Sequence, residues 1–363
     1  MILLVVITVL MIILYGKIPF ASEPFSAWDL ADYQKIALAA PGIAAEVQQP
    51  FAYRMLGPYI VGLFPVATPL GFYVFAFLSL VVLAISCYFF LLYVSARQGF
   101  IAFFVVSLFV LNKYLFGYLA WNYFQINDTL SLIFIIVLFW AMLGCRWGVF
   151  AFVLFIGALT RETVMIMVPV SFFFLLEKKK LRSESKKIVL AVTPGILVFL
   201  LLRLFINPVG GLNLFQAFLR HGGKFSLPEA WFRSFINAFI PLSLLPLIFL
   251  NKTVSFFKEH RYLLVYLSLV IVSTLFGSNY ERLMAPTFIV FYWLITEIIE
   301  EYVYPHKTIL LLIFVSVFFA SFHNTYGLFP LPNKQLTFLF SMIPLLIVSL
   351  VVFCHKTKRR VVG

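Results

Sequence analysis

The chain has 363 residues, 63% hydrophobic and 11% charged, with a formal net charge of +13. A mean hydropathy of +1.05 excludes a water-soluble domain, because so few charges cannot cover a core of this size, and lipid becomes the solvent. The positive balance does not point to nucleic acid, since the basic residues are scattered through short connections with no soluble module to carry a patch, and the three distant cysteines, Cys87, Cys145 and Cys354, form neither a disulfide framework nor a metal signature.

Apolar runs recur along the whole length. Only helices or closed barrels satisfy their backbone groups in lipid, and these runs are continuous instead of alternating in period two, so helices are predicted. The expected class is an all-α polytopic membrane protein of about twelve helices, several of them shorter than the ~20 residues of a full crossing. The predicted spans are 1–16, 71–95, 99–117, 128–144, 147–160, 163–177, 188–206, 235–250, 262–277, 284–299, 308–322 and 336–353.

The first span could be a cleaved signal peptide, but it lacks a basic leading region, and a retained membrane helix is the preferred reading. The polar stretch Lys17–Pro69 follows. Within it, residues 26–46 read as an amphipathic helix broken near Pro41–Gly42, and "PFAYRMLGPYIVGLFP" (Pro50–Pro65) as a second, interfacial helix. No internal repeat, phosphate-binding loop, dinucleotide motif or zinc spacing occurs.

The densest basic runs are "KKKLRSESKK" (Lys178–Lys187) and "HKTKRR" (His355–Arg360). Placing both in the cytoplasm puts both termini there as well, and most lysines and arginines then fall on that side. The three aspartates, Asp29, Asp32 and Asp128, fall on the outer face together with Arg161, Glu162, Glu281 and Arg282. Outward-facing chemistry is therefore expected of these charges.

In "AWDLADYQKIA" (Ala27–Ala37), Asp29, Asp32, Tyr33 and Ile36 share one helix face. Two carboxylates so close beside an apolar bilayer are expected to perturb each other's protonation, and one of them can serve as a general base. The competing reading is a helix start, with Ser26 as cap and Asp29 three residues into the turn. Asp128, in "YFQINDTLSLIF", opens a span at its outer end. Either Asn127 and Asp128 cap it, or Asp128 faces Asp29 across a cavity to position an acceptor or a divalent metal. Arg161–Glu162 in "ALTRETVM" is either a self-neutralising pair with Thr160 as cap or, since an ion pair at membrane depth is costly, part of a site. Glu281–Arg282 repeats an acid–base pair at an outer helix start, with an arginine fork suited to phosphate. Arg220, His221, Lys224 and Arg233 form a basic group in loop 207–234, read either as a holder of a lipid phosphate or as a headgroup contact. His260, His306, His323 and His355 show no ligand spacing.

The stretch "WDLADYQKIA" has the form W-D-x-x-x-Y-x-x-I-A. It resembles the first outer loop of GT-C fold glycosyltransferases, especially the GPI-anchor mannosyltransferase family and its bacterial relatives. "PFAYRMLGPYI" is similar to the P-F-x-Y-R-x-L-x-P stretch of those bacterial relatives, and "NYERLMAP" is a weaker echo. The resemblance implies a GT-C-like module over 1–206, with 207–363 as the variable part. It implies an inverting hexosyl transfer from a sugar on a polyprenyl phosphate to a glycan, lipid or protein hydroxyl. It also implies Asp29 as catalytic base, Asp32 as a second acid in the site, and Tyr33, Arg54, Asp128, Arg161, Glu162, Glu281 and Arg282 as substrate-binding residues. A surface-polysaccharide polymerase or ligase, and a lipid or solute transporter, are the rival readings. The transporter would need broken helices in paired halves.

Overall fold

A computed structural model describes residues 1–18, 29–44, 46–95, 99–304, 306–322, 342–343 and 345–348. Its regular structure is helical, with no strand among the described residues beyond one isolated bridge between Gln49 and Gly211. Among the described residues, three helices are long and apolar enough to cross a membrane: Thr68–Ser95, Ile126–Leu143 and Leu181–Phe205. Counting each of three bent pairs as one span raises the number to six. This is consistent with a multi-pass membrane protein. Residues 323–341 and 349–363, which include most of the predicted last span with His323 and His355, lie outside the described residues.

Helix α1 (Ile2–Tyr15) packs on α4 (Thr68–Ser95) and α5 (Gly99–Val110). Between them the first loop folds into α2 (Leu30–Ala39) and α3 (Leu56–Leu63), which pack on each other. The predicted break at Pro41–Gly42 is where α2 has ended, because proline cannot extend the hydrogen-bond ladder. Helix α6 (Ile126–Leu143) packs against α4 and against α7 (Trp147–Gly157), and α7 lies along α9 (Leu181–Phe205). Between α7 and α9 runs α8 (Met167–Glu177).

Three predicted spans change. The span expected at 188–206 starts earlier, at Leu181, so most of the basic run "KKKLRSESKK" is helical rather than a loop. Ser183 and Ser185 each bond back to a carbonyl three residues earlier, within this turn. The span expected at 99–117 is bent by 51°. Asn112 makes the bend, its side-chain oxygen accepting the backbone N–H groups of Tyr114 and Leu115 at 3.0 and 2.9 Å and so capping a second segment. The span expected at 235–250 is not a single helix. It breaks into short turns around Pro241 and Pro246, with a 103° bend between Pro228–Phe239 and Leu242–Ile248. The amide of Asn112 donates to the carbonyl of Ala238 at 3.1 Å and ties these two broken segments together. The helices α11 (Leu250–Glu259) and α12 (Arg261–Ser273) meet at a 100° elbow, following α10 (Leu214–His221) in the chain. Helix α13 (Phe288–Ile298) then packs against α4 and α5, and α14 (Lys307–Phe322) follows.

Candidate functional site

Asp29 stands at the cap position of α2, yet its side chain makes no capping hydrogen bond. That corrects the capping-box expectation: Asp29 precedes the helix rather than sitting three residues inside it, and Ser26 lies outside the described residues. The carboxylate turns to α6 instead. Its Oδ2 accepts Nε2 of Gln125 at 2.7 Å and faces Nη1 of Arg282 at 3.5 Å. No described residue donates to Oδ1.

Asp32 takes a different partner. It is buried and accepts the backbone N–H of Gln48 at 3.4 Å. The two carboxylates therefore share no hydrogen-bond partner, and Asp32 faces the loop that follows α2 rather than the partners of Asp29. Tyr33 is fully buried against the edge of the Phe51 ring, at 5.5 Å between centroids, and its hydroxyl has no partner. Burial pushes this phenol up to about 12, against the lowering effect of the Arg54 guanidinium.

Asp128 lies in the first turn of α6, where the helix dipole favours an anion. It does not cap the helix, and neither does Asn127, since Gln125 occupies the cap position. Asp128 is instead held between two arginines from distant segments. Nε of Arg282 donates to Oδ2 at 2.5 Å, and Nη1 of Arg161 lies 3.0 Å from Oδ1, without hydrogen-bond alignment. The side chains of Asp128 and Arg161 are only 3% and 5% exposed, and Nε of Arg161 has no partner. All three nitrogens of Arg282 are engaged, the third, Nη2, donating to Oε1 of Gln125 at 2.5 Å. Asp29 and Asp128 are linked through Arg282, which contacts both.

Asn127 has another task. Its amide accepts the N–H of Gly57 at 3.0 Å and donates to the carbonyl of Arg54 at 2.6 Å, pinning the first loop to α6. The approach is so close that a Cβ at Gly57 would stand 2.9 Å from Asn127 Oδ1 and from Ile126, so only glycine fits. This docking carries Arg54 to Glu162. Nε and Nη2 of Arg54 donate to Oε2 at 3.2 and 3.0 Å, and Arg203 reaches Oε1 at 3.4 Å. Arg161 and Glu162 are thus not a self-neutralising pair, since each bonds a different distant partner. Thr160 bonds back to the carbonyl of Gly157. Burial raises the Glu162 carboxyl most, but the Arg54 guanidinium, a backbone hydrogen bond and the charges of Arg203 and Arg161 together outweigh it and hold the group below its ordinary value. Arg203 was not singled out in the sequence. Its signal was there, as the lone charge in the apolar run "GILVFLLLRLFI".

Glu281 and Arg282 also part company. Glu281 accepts Nε and Nη2 of Arg233 at 2.8 and 2.9 Å, and Nδ2 of Asn237 at 2.9 Å. Arg233 is therefore a partner of Glu281 and not a member of a loop cluster with Arg220 and His221. Those two lie on the amphipathic α10, whose Leu214, Phe215 and Leu219 are exposed. The side chain of Lys224 lies outside the described residues. Beside the Glu281–Arg233 pair is a cleft of about 210 Å³, walled by Tyr15, Tyr114, Tyr118 and Trp121, with Lys113 and Arg233 among its cations. A Cβ at Gly117 would come within 2.6 Å of the Tyr15 ring, so this wall also depends on a glycine.

No protein-family profile, curated protein or solved structure matches this chain.

The site therefore stands on its own geometry. Four guanidiniums (Arg54, Arg161, Arg203 and Arg282) face three carboxylates (Asp29, Asp128 and Glu162), which leaves one positive charge in excess. Such a constellation favours an anion. It does not favour a metal: the acids are engaged by arginines, and among the described residues no three metal-ligating side chains stand together. Asp29 is the acid with room to act. Its side chain is 27% exposed against 3% for Asp128, and it keeps one oxygen open.

Proposed function

We propose that this chain is a membrane glycosyltransferase of GT-C type, moving a sugar from a polyprenyl-phosphate donor to an acceptor hydroxyl at the outer face of the plasma membrane, with both termini in the cytoplasm. Oδ1 of Asp29 takes the proton of the acceptor hydroxyl as its oxygen attacks the anomeric carbon. The bond from that carbon to the phosphate oxygen breaks, and its electron pair leaves with the phosphate. Arg282 does not hold that phosphate in this reading, because each of its three nitrogens is already fixed, on Asp128, Asp29 and Gln125. It orients the base instead. The phosphate falls to Arg54 and Arg203, which share a single carboxylate and retain donors.

One observation carries the reading: a carboxylate at a helix start is released from capping, fixed on one oxygen by Gln125 and Arg282, and open on the other. The test is Asp29→Asn, which keeps size and removes proton acceptance. Transfer from a polyprenyl-phosphate sugar should fall by roughly 10²-fold or more, with thermal unfolding in detergent unchanged. Full activity in that variant would end the reading.

A transporter is the second reading, favoured by the three bent helix pairs. Reconstituted vesicles separate the two: solute or lipid flux that survives Asp29→Asn, with no sugar transfer by the unaltered protein, would decide for transport.

A further inference from the structure

The elbow between α11 and α12 carries a second cavity, of about 450 Å³, that the transferase reading does not use. One wall is apolar, made by Phe173 and Leu176 of α8 and Val265 of α12. Phe173 and Leu176 are 47% and 53% exposed, so they face the surroundings of the helix bundle, where acyl chains lie in a membrane. The rim is basic, with Lys258 at the end of α11 and Arg261 at the start of α12, both exposed. Lys178, Lys179 and Lys180 follow α8 directly, adding to the positive field.

Two features make this a built site rather than a loose gap. Glu177, the acid in the lining, is already engaged: its Oε2 accepts the N–H of Tyr262 at 2.8 Å and locks α8 to the elbow. Lys252, on α11, is clamped between Glu297 and Glu301 at 2.9 Å each, so the elbow is also held from the other side. Tyr262 also lines the cavity and is only 1% exposed.

We propose that this elbow binds an anionic phospholipid, its headgroup phosphate on Lys258 and Arg261 and its acyl chain along Phe173 and Leu176. The ligand must have a negative end and a long apolar body to match both walls, and a membrane supplies such molecules in excess. The proposal is independent of the transferase reading.

Native mass spectrometry of the full chain in mild detergent tests it, with phosphatidylglycerol and phosphatidylethanolamine added in turn. The unaltered protein should retain phosphatidylglycerol in preference. The double variant Lys258→Ser, Arg261→Ser should lose that retention by roughly thirtyfold, at about fivefold for each basic contact. Both positions are exposed, so folding should survive, and circular dichroism checks it. As a control, Arg182→Ser, Lys186→Ser removes the same charge from exposed positions of α9 and should leave retention unchanged. A second readout uses Phe173→Trp: phosphatidylglycerol with brominated chains should quench the new indole, and less so once Lys258 and Arg261 are replaced. Equal retention of the two lipids, equal loss in the control variant, or an unquenched indole would each overturn the proposal.

Discussion

Two charged clusters in this molecule use similar ingredients to different ends. Around Asp128, two acids and two arginines meet from four segments far apart in the chain, with 154 positions between Asp128 and Arg282. The inner pair of this cluster, Asp128 and Arg161, is nearly sealed from solvent, one arginine nitrogen lacks a partner, and one carboxylate oxygen faces its arginine out of alignment. Around Lys252, one ammonium is shared by Glu297 and Glu301, two acids four residues apart, at 2.9 Å each. The Lys252 cluster joins two segments, is partly solvated and satisfied, and behaves as a staple. The Asp128 cluster bears a desolvation cost that its internal contacts leave partly unmet.

Asp128→Ala should have the largest effect. It strands Arg161 and Arg282 with an uncompensated buried charge and should lower stability by roughly 3–5 kcal/mol, read as a large drop in thermal unfolding temperature. A shift no larger than that of a surface pair would erase the contrast between the clusters.

Arg282→Lys comes next. An ammonium cannot reach Asp128, Asp29 and Gln125 at once, so transfer activity should fall by up to roughly 10²-fold as Asp29 loses its orientation. Donor KM should stay near that of the unaltered protein if, as proposed, the phosphate rests on Arg54 and Arg203. A raised KM with unchanged kcat would return the phosphate to Arg282.

The third test uses pH. Glu162 is held below its ordinary value of 4.5, so its pairing with Arg54 stabilises the fold above that pH and is lost as the pH falls further. Thermal unfolding measured between neutral and acidic pH should show this loss, and Glu162→Gln should flatten the acid limb. An identical limb in the variant would show that the stabilisation lies elsewhere.

The smallest effect is expected at Lys252→Ala, at about 1 kcal/mol or less, as for a solvated pair. A loss as large as that of Asp128→Ala would mean that the staple holds more than the elbow.

Much of the polar site was legible as a set of residues, and little of it as a set of pairs. An aspartate or arginine in a chain this apolar is conspicuous wherever it stands, and Asp29, Arg54, Asp128, Arg161, Glu162, Glu281 and Arg282 all lie in or beside the charged cluster. Their partners were misread wherever neighbours in sequence were assumed to be neighbours in space: Arg161 turns from Glu162 to Asp128, and Arg282 turns from Glu281 to Asp128 and Asp29. Gln125 and Arg203 were passed over. One is an uncharged amide in a polar turn, and the other is a single charge inside an apolar run.

The sequence by itself determined the helical class, the lipid-facing composition and the break point at Pro41, because these follow from backbone hydrogen bonding and from local stereochemistry within a few residues. It also marked the first loop as the place where charge gathers. Only the tertiary structure decided which carboxylate is open and which is sealed. That depends on how α2, α6 and the segment carrying Arg282 converge, with Gly57 and Asn127 docking the first loop. Pairing across so long a separation leaves no periodic trace in the chain, since helical spacing records which face a residue occupies and not what meets that face.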